Sequence, residues 1–115
     1  MFTFENKTVV VVGGTSGINL GIAQCFAKAG ANVAVVSRSQ DKVDAAVEGL
    51  KALGANAMGV SADVRHVEEL VNAMNSFKDR FGEFDVLVSG AAGNFPARAM
   101  DMSANAFASV INIDL

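Results

Sequence analysis

The chain has 115 residues, a formal net charge of −3, and 51% hydrophobic against 18% charged residues. That length suits a single domain, 1–115, of the usual ~100–200 residues, and so apolar a composition excludes a disordered segment, which needs low hydrophobicity and high charge. The acidic balance supplies no Lys and Arg cluster to neutralise a phosphate backbone, so nucleic acid is not an expected partner.

The longest unbroken aliphatic run, Val9 to Val12, is far too short for the ~20 residues that span a bilayer, so no membrane association is expected. No apolar stretch follows a basic N-terminus as a secretory signal would. Cys25 stands alone, which fits a reducing cytoplasmic setting.

The predicted elements alternate along the chain. Thr8–Val12 is an unbroken β-branched run, as expected of a strand buried on both faces of a parallel sheet. Ile18, Ile22, Phe26 and Ala29 then fall on one helical stripe that Gly30 stops, with Cys25 read as core. Val33–Ser37 is the second strand. Val43, Val47, Leu50 and Leu53 mark a second helix ending at Gly54. Ala57–Ser61 is the third strand. Val67, Leu70, Val71, Met74, Phe77 and Phe81 mark a third helix closed by Gly82, with Glu68 and Glu69 placed to offset its dipole. Val86–Ser89 is the fourth strand, and Ser103 as N-cap with Phe107, Val110 and Ile111 predicts a fourth helix.

This β-α order predicts an α/β fold, a doubly wound parallel sheet of Rossmann type with right-handed crossovers. Such a domain with six or seven strands needs about twice this length, so the chain is expected to be its N-terminal half.

The stretch Val9-Val-Val-Val-Gly13-Gly-Thr15-Ser16-Gly17-Ile18-Asn19-Leu-Gly21 carries the most chemistry. A strand runs into a glycine-rich turn that opens a helix. Missing side chains let a phosphate approach the amides, and the free N–H groups of the helix start hold an anion such as a diphosphate. The spacing Gly13-x-x-x-Gly17 differs from G-x-G-x-x-G, and no Gly-Lys-Ser/Thr follows, which argues against a triphosphatase loop. A tight turn without a ligand is the plainer alternative.

About 20 residues after such glycines, a dinucleotide fold places the residue that faces the adenosine ribose. Here Ser37, Arg38 and Ser39 stand there, with no carboxylate before Asp41. A carboxylate would accept from the ribose hydroxyls and repel a 2′-phosphate. A guanidinium flanked by hydroxyls instead binds phosphate, which favours NADP(H) over NAD(H). Alone, Arg38 could equally be a solvated loop cation.

These residues, with Ser61-Ala-Asp63-Val64 and Asp85-Val-Leu-Val-Ser-Gly-Ala-Ala-Gly93, resemble the short-chain dehydrogenase/reductase superfamily across the whole chain. The resemblance implies that Asp63 and Val64 flank the adenine ring and that Ala91, Ala92 and Gly93 lie against the cofactor. Ala91-Ala-Gly-Asn-Phe95-Pro96 is more particularly similar to 2,4-dienoyl-CoA reductases of the peroxisomal and bacterial type. In that branch an Asp at the position of Asp114 acts as an acid with a later Lys; an ordinary polar residue is the alternative. The same likeness implies that Arg65, Phe95, Ser103 and Asn105 face an acyl-CoA, although a helix cap explains Ser103 and packing explains Phe95. It also suggests a homo-oligomer, a tetramer.

Departures accompany the likeness. Val12 replaces the family's usual Thr, and Asn19 stands where the third loop glycine normally sits. Its side chain either crowds the diphosphate path or replaces a water with its amide. The chain has no Tyr, so the family's Tyr-x-x-x-Lys pair is absent from these residues. His66 has no Cys or His companions, and no metal site is expected.

The leading expectation is an NADP(H)-dependent reductase of an enoyl- or dienoyl-type thioester. The alternatives are a carbonyl or alcohol oxidoreductase using Tyr-x-x-x-Lys beyond residue 115 and a non-catalytic nucleotide-binding module. A methyltransferase-like domain is more distant, because it usually carries an acid near Ser37.

Overall fold

The computed structural model describes residues 4–13, 17–63 and 65–89, and the backbone course of 109–112. The elements are β1 (Thr8–Val12), α1 (Gly17–Lys28), β2 (Asn32–Ser37), α2 (Gln40–Ala52), β3 (Ala57–Ser61), α3 (Val67–Phe81), β4 (Val86–Ser89) and β5 (Ser109–Asn112). The five strands form one sheet in the order β3-β2-β1-β4-β5. Every pairing is parallel, as in Val10↔Ala34 and Val10↔Leu87 on the two sides of β1.

The Val runs follow from this placement. Val9, Val11, Val33 and Val35 face one core, where they meet Ala23 and Ala27 of α1 and Val43, Ala46 and Leu50 of α2. Val10, Val12, Ala34 and Val36 face the other, against Leu70, Ala73, Met74 and Phe77 of α3. With helices on both faces, neither set of alternate residues can be polar. The chain winds outward from β1 to β3, and α3 carries it back to the far side of β1. That reversal of strand order falls between β1 and β4, and sheets of this kind bind ligands beyond the carboxyl ends of the strands at such a point.

Expectations for two segments are corrected. The stripe on α1 is rotated by one residue: Asn19, Ala23 and Ala27 are buried, while Ile18 is 58% exposed. Small side chains let α1 lie close to the sheet, and Ile22 and Phe26 wrap its flank, half-buried. Cys25, two residues from Ala23 and hence about 200° round the helix, is exposed rather than core.

The second correction concerns Val110 and Ile111. They lie on β5, with Leu87↔Val110 and Val88↔Ile111, and not on a fourth helix. Adjacent β-branched residues suit a strand, and the outer edge of β4 offers them a ladder that spacing within the segment does not reveal. The start of that predicted helix, from Ser103 to Phe107, lies outside the described residues.

Candidate functional site

The site is built from the carboxyl ends of adjacent strands. β1 runs out into Gly13, whose φ of 80° belongs to the left-handed region that glycine adopts without strain. Its amide donates to the carbonyl of Val36 at 2.7 Å, which ties the start of the loop to the end of β2. Gly17 opens α1 with φ 61°. Asn19, in the first turn of α1, donates from Nδ2 to the Gly13 carbonyl at 3.3 Å. Its residue is 4% exposed, and Oδ1 is buried with no donor among the described residues. A buried acceptor left unmatched costs about 1–3 kcal/mol.

At the end of β2, three residues form a short, cross-linked bend. The Ser37 hydroxyl accepts from the Ser39 amide at 3.5 Å, and the Ser39 hydroxyl accepts from the Lys42 amide at 3.4 Å, capping α2. Both bonds use hydroxyl lone pairs and leave the hydroxyl protons free to donate. Ser61 Oγ donates to the Arg38 carbonyl at 2.9 Å, so β3 fixes the backbone of Arg38. Arg38 is exposed, and its guanidinium has no partner among the described residues.

Asp63 and Arg65 follow β3. Oδ1 of Asp63 accepts the Arg65 amide at 2.9 Å and Nε at 3.0 Å, while Oδ2 accepts Nη2 at 2.7 Å. The Arg65 side chain, then its amide, hold the Asp63 carboxyl well below the usual carboxylate range, and Asp63 raises Arg65 in return. Glu69 Oε1 accepts the Asp63 amide at 3.2 Å and Oε2 meets His66 Nδ1 at 2.6 Å; the His66 contact first, then the amide, lowers Glu69. His66 caps α3 by backbone alone and is exposed.

Gly13, Gly17, Ile18, Arg38, Ser39, Asp63 and Arg65 are therefore placed at or beside the carboxyl edge of the sheet, which the strand order already implied. Thr15, Ser16, Val64, Ala91, Ala92, Gly93, Phe95, Ser103, Asn105 and Asp114 lie outside the described residues. Among the described residues no three His, Cys, Asp or Glu side chains gather as a metal site, and no helix is long and apolar enough to cross a membrane. Sequence reasoning did not find the unmatched Asn19 Oδ1. The only signal was the polar residue in the place of a loop glycine.

The short chain dehydrogenase family profile matches residues 7–115. A peroxisomal 2,4-dienoyl-CoA reductase, (3E)-enoyl-CoA-producing, from Arabidopsis thaliana is 40% identical over 110 residues, 96% of this chain and 37% of that protein. Its namesake from Mus musculus is 37% identical over 111 residues, 96% of this chain and 38% of that protein. The chain thus spans well under half the length of these relatives. The crystal structure of L-sorbose reductase from Gluconobacter frateurii, complexed with NADPH and L-sorbose, superposes with a TM-score of 0.74 at 34% identity. That match covers 81% of this chain and 35% of the other.

Proposed function

The chain belongs to the short-chain dehydrogenase family, and from that premise we propose that it forms the dinucleotide-binding part of an NADP(H)-dependent reductase of enoyl- or dienoyl-CoA-type thioesters. The observation that carries the cofactor choice is the bend at the end of β2. There a guanidinium with no partner among the described residues, flanked by two hydroxyls whose described bonds use only their lone pairs, replaces the carboxylate that would hold an unphosphorylated ribose.

The residues present fit such a ligand. Among the described residues, apart from its chain neighbours and its own helix backbone, no heavy atom lies within 4 Å of where a Cβ on Gly17 would sit, which suits the approach of an anion to the start of α1. Gly13 to Gly17 and the first-turn amides of α1 would take the diphosphate, Arg38 and Ser39 the 2′-phosphate, and Asp63 with Val64 the adenine side. When bound, the reduced nicotinamide supplies a hydride to one end of the conjugated thioester. The chain's own contribution is to orient that ring and to deliver a proton, for which Asp114 is the proposed donor. Arg65, Phe95, Ser103 and Asn105 are the proposed acyl-CoA contacts, and self-association as a tetramer is part of the same reading.

Likeness to a sugar reductase supports a second reading, reduction of a carbonyl. Two measurements test both. Calorimetric titration should give NADPH a roughly ten- to hundredfold tighter Kd than NADH, and Arg38→Ala should erase the difference. Equal affinities would remove the cofactor assignment. NADPH oxidation driven by a 2,4-dienoyl-CoA and not by a ketone or ketose supports the thioester reading, and the reverse supports the carbonyl one.

A further inference from the structure

Arg38 can aim its guanidinium only as well as its own backbone is held. Its Cα–Cβ bond leaves between two rigid peptide planes, one carrying the Ser37 carbonyl and the other the Arg38 carbonyl. Both planes are held from the end of β3. The Ser37 carbonyl accepts the Ala62 amide at 2.9 Å, and the Arg38 carbonyl accepts from Ser61 Oγ at 2.9 Å. The carbonyl before them, of Val36, accepts the Gly13 amide at 2.7 Å. Successive carbonyls of a strand point to opposite neighbours, and Val36 and Ser37 follow that rule, one meeting the residue after β1 and the other the residue after β3. The Arg38 carbonyl, which the rule would turn back toward β1, meets β3 instead. Of these bonds only the one from Ser61 comes from a side chain, so residue choice at that position decides whether it forms.

We propose that Ser61 is a positioning residue for cofactor choice, a role that rests on the reading of Arg38 given above: by holding the Arg38 carbonyl, its hydroxyl directs the guanidinium toward the 2′-phosphate of NADP(H). Ser61 touches no ligand in this scheme and acts through Arg38 alone. The physical basis is order. A guanidinium on an unheld bend spreads over many directions, and making two parallel bonds to a phosphate then loses more entropy. With both flanking planes fixed, only the side-chain torsions of Arg38 remain to be ordered on binding. NADH lacks the 2′-phosphate and gains nothing from the arrangement.

Calorimetric titration of the full chain with NADPH and with NADH tests this in the unaltered protein, Ser61→Ala, Arg38→Ala and the double variant. Ser61→Ala should raise the NADPH Kd roughly two- to tenfold, the worth of one neutral hydrogen bond, and leave the NADH Kd unchanged. In the Arg38→Ala background the same change should alter neither Kd, because the group that Ser61 directs is gone. Ser61→Thr keeps the hydroxyl on a residue suited to a strand and should keep the NADPH preference.

An equal loss of NADPH and NADH affinity in Ser61→Ala would make Ser61 a general brace of the sheet edge and overturn the proposal. An unchanged NADPH Kd, or losses that simply add in the double variant, would overturn it as well, even with the role of Arg38 intact. If the unaltered chain showed no NADPH preference, or Arg38→Ala kept it, the reading of Arg38 itself would fall and this inference with it. Should Ser61→Ala not fold, Ser61→Cys, close in size and only a weak donor, is read by the same criteria.

Discussion

The guanidinium of Arg65 lies along the carboxylate of Asp63, with Nη2 2.7 Å from Oδ2 and Nε 3.0 Å from Oδ1, while the Arg65 amide donates to the same Oδ1. The connection from β3 to α3 is thereby closed on itself by its own charges. Asp63 thus carries an anion that is already matched.

Removing one half of this pair has a signed pH dependence. The Asp63 carboxyl is lowered from its ordinary 3.8, so the stabilisation it contributes is present above that value and fades as pH falls through and below it. Arg65→Ala removes the larger cause, the side-chain bonds, and leaves the amide bond. An NMR titration of the Asp63 carboxyl should show its pKa rising toward 3.8 without reaching it. The unfolding midpoints of the two proteins should differ slightly at neutral pH and converge in acid. A gap that widened in acid would contradict the pairing.

The strands were legible because burial on two faces forces one kind of residue, and the runs Val9–Val12 and Val33–Val36 can satisfy little else. Gly13 and Gly17 were legible for a related reason, since their φ values of 80° and 61° leave few residue choices. Helix facing was harder. On α1 the large apolar residues Ile18, Ile22 and Phe26 dominate the pattern, yet the sheet takes the small side chains of Asn19, Ala23 and Ala27, because closeness matters more there than bulk. β5 was hidden for another reason: its ladder partner, β4, supplies the hydrogen bonds, and no local spacing encodes a neighbour. The unmatched Oδ1 of Asn19 was hidden likewise, since a residue letter does not say which of its atoms lack partners.

The cofactor preference should be reversible at the end of β2. In Ser37→Asp, the new carboxylate could still accept from the Ser39 amide, as the hydroxyl of Ser37 does at 3.5 Å. It would also accept from ribose hydroxyls and repel a 2′-phosphate. The expected outcome is at least a tenfold shift of the Kd ratio toward NADH, read by calorimetry, with no large change in unfolding midpoint. Retention of the NADPH preference would place the 2′-phosphate elsewhere.

Gly59 on β3 is fixed by space. A Cβ there would sit 2.5 Å from Val43 Cγ1, 2.9 Å from Val47 Cγ2 and 3.0 Å from Val35 Cγ2. Gly59→Ala should therefore push α2 off the sheet and cost about 1–3 kcal/mol in denaturant unfolding. Val43→Ala removes the closest of those atoms. The double variant should lose less than the sum of the single ones, with a coupling of about 0.5–2 kcal/mol. Strict additivity would show that the crowding is relieved some other way.

Asp85 joins the starts of β1 and β4 by two bonds. Its Oδ2 accepts the Thr8 amide and its own amide donates to the Thr8 carbonyl, both at 2.9 Å. Thr8 is 1% exposed, so its N–H has no ready access to bulk water. Asp85→Ala should leave that donor buried and unmatched, at about 1–3 kcal/mol. Asp85→Asn keeps a carbonyl oxygen in reach and should lose a smaller part, because an amide accepts less strongly than a carboxylate. Denaturant unfolding of the two variants, with hydrogen exchange at Thr8, checks the order. An alanine variant as stable as the asparagine one would mean that water reaches Thr8 despite its burial, and that the tie between the two strands is carried by the backbone bond alone.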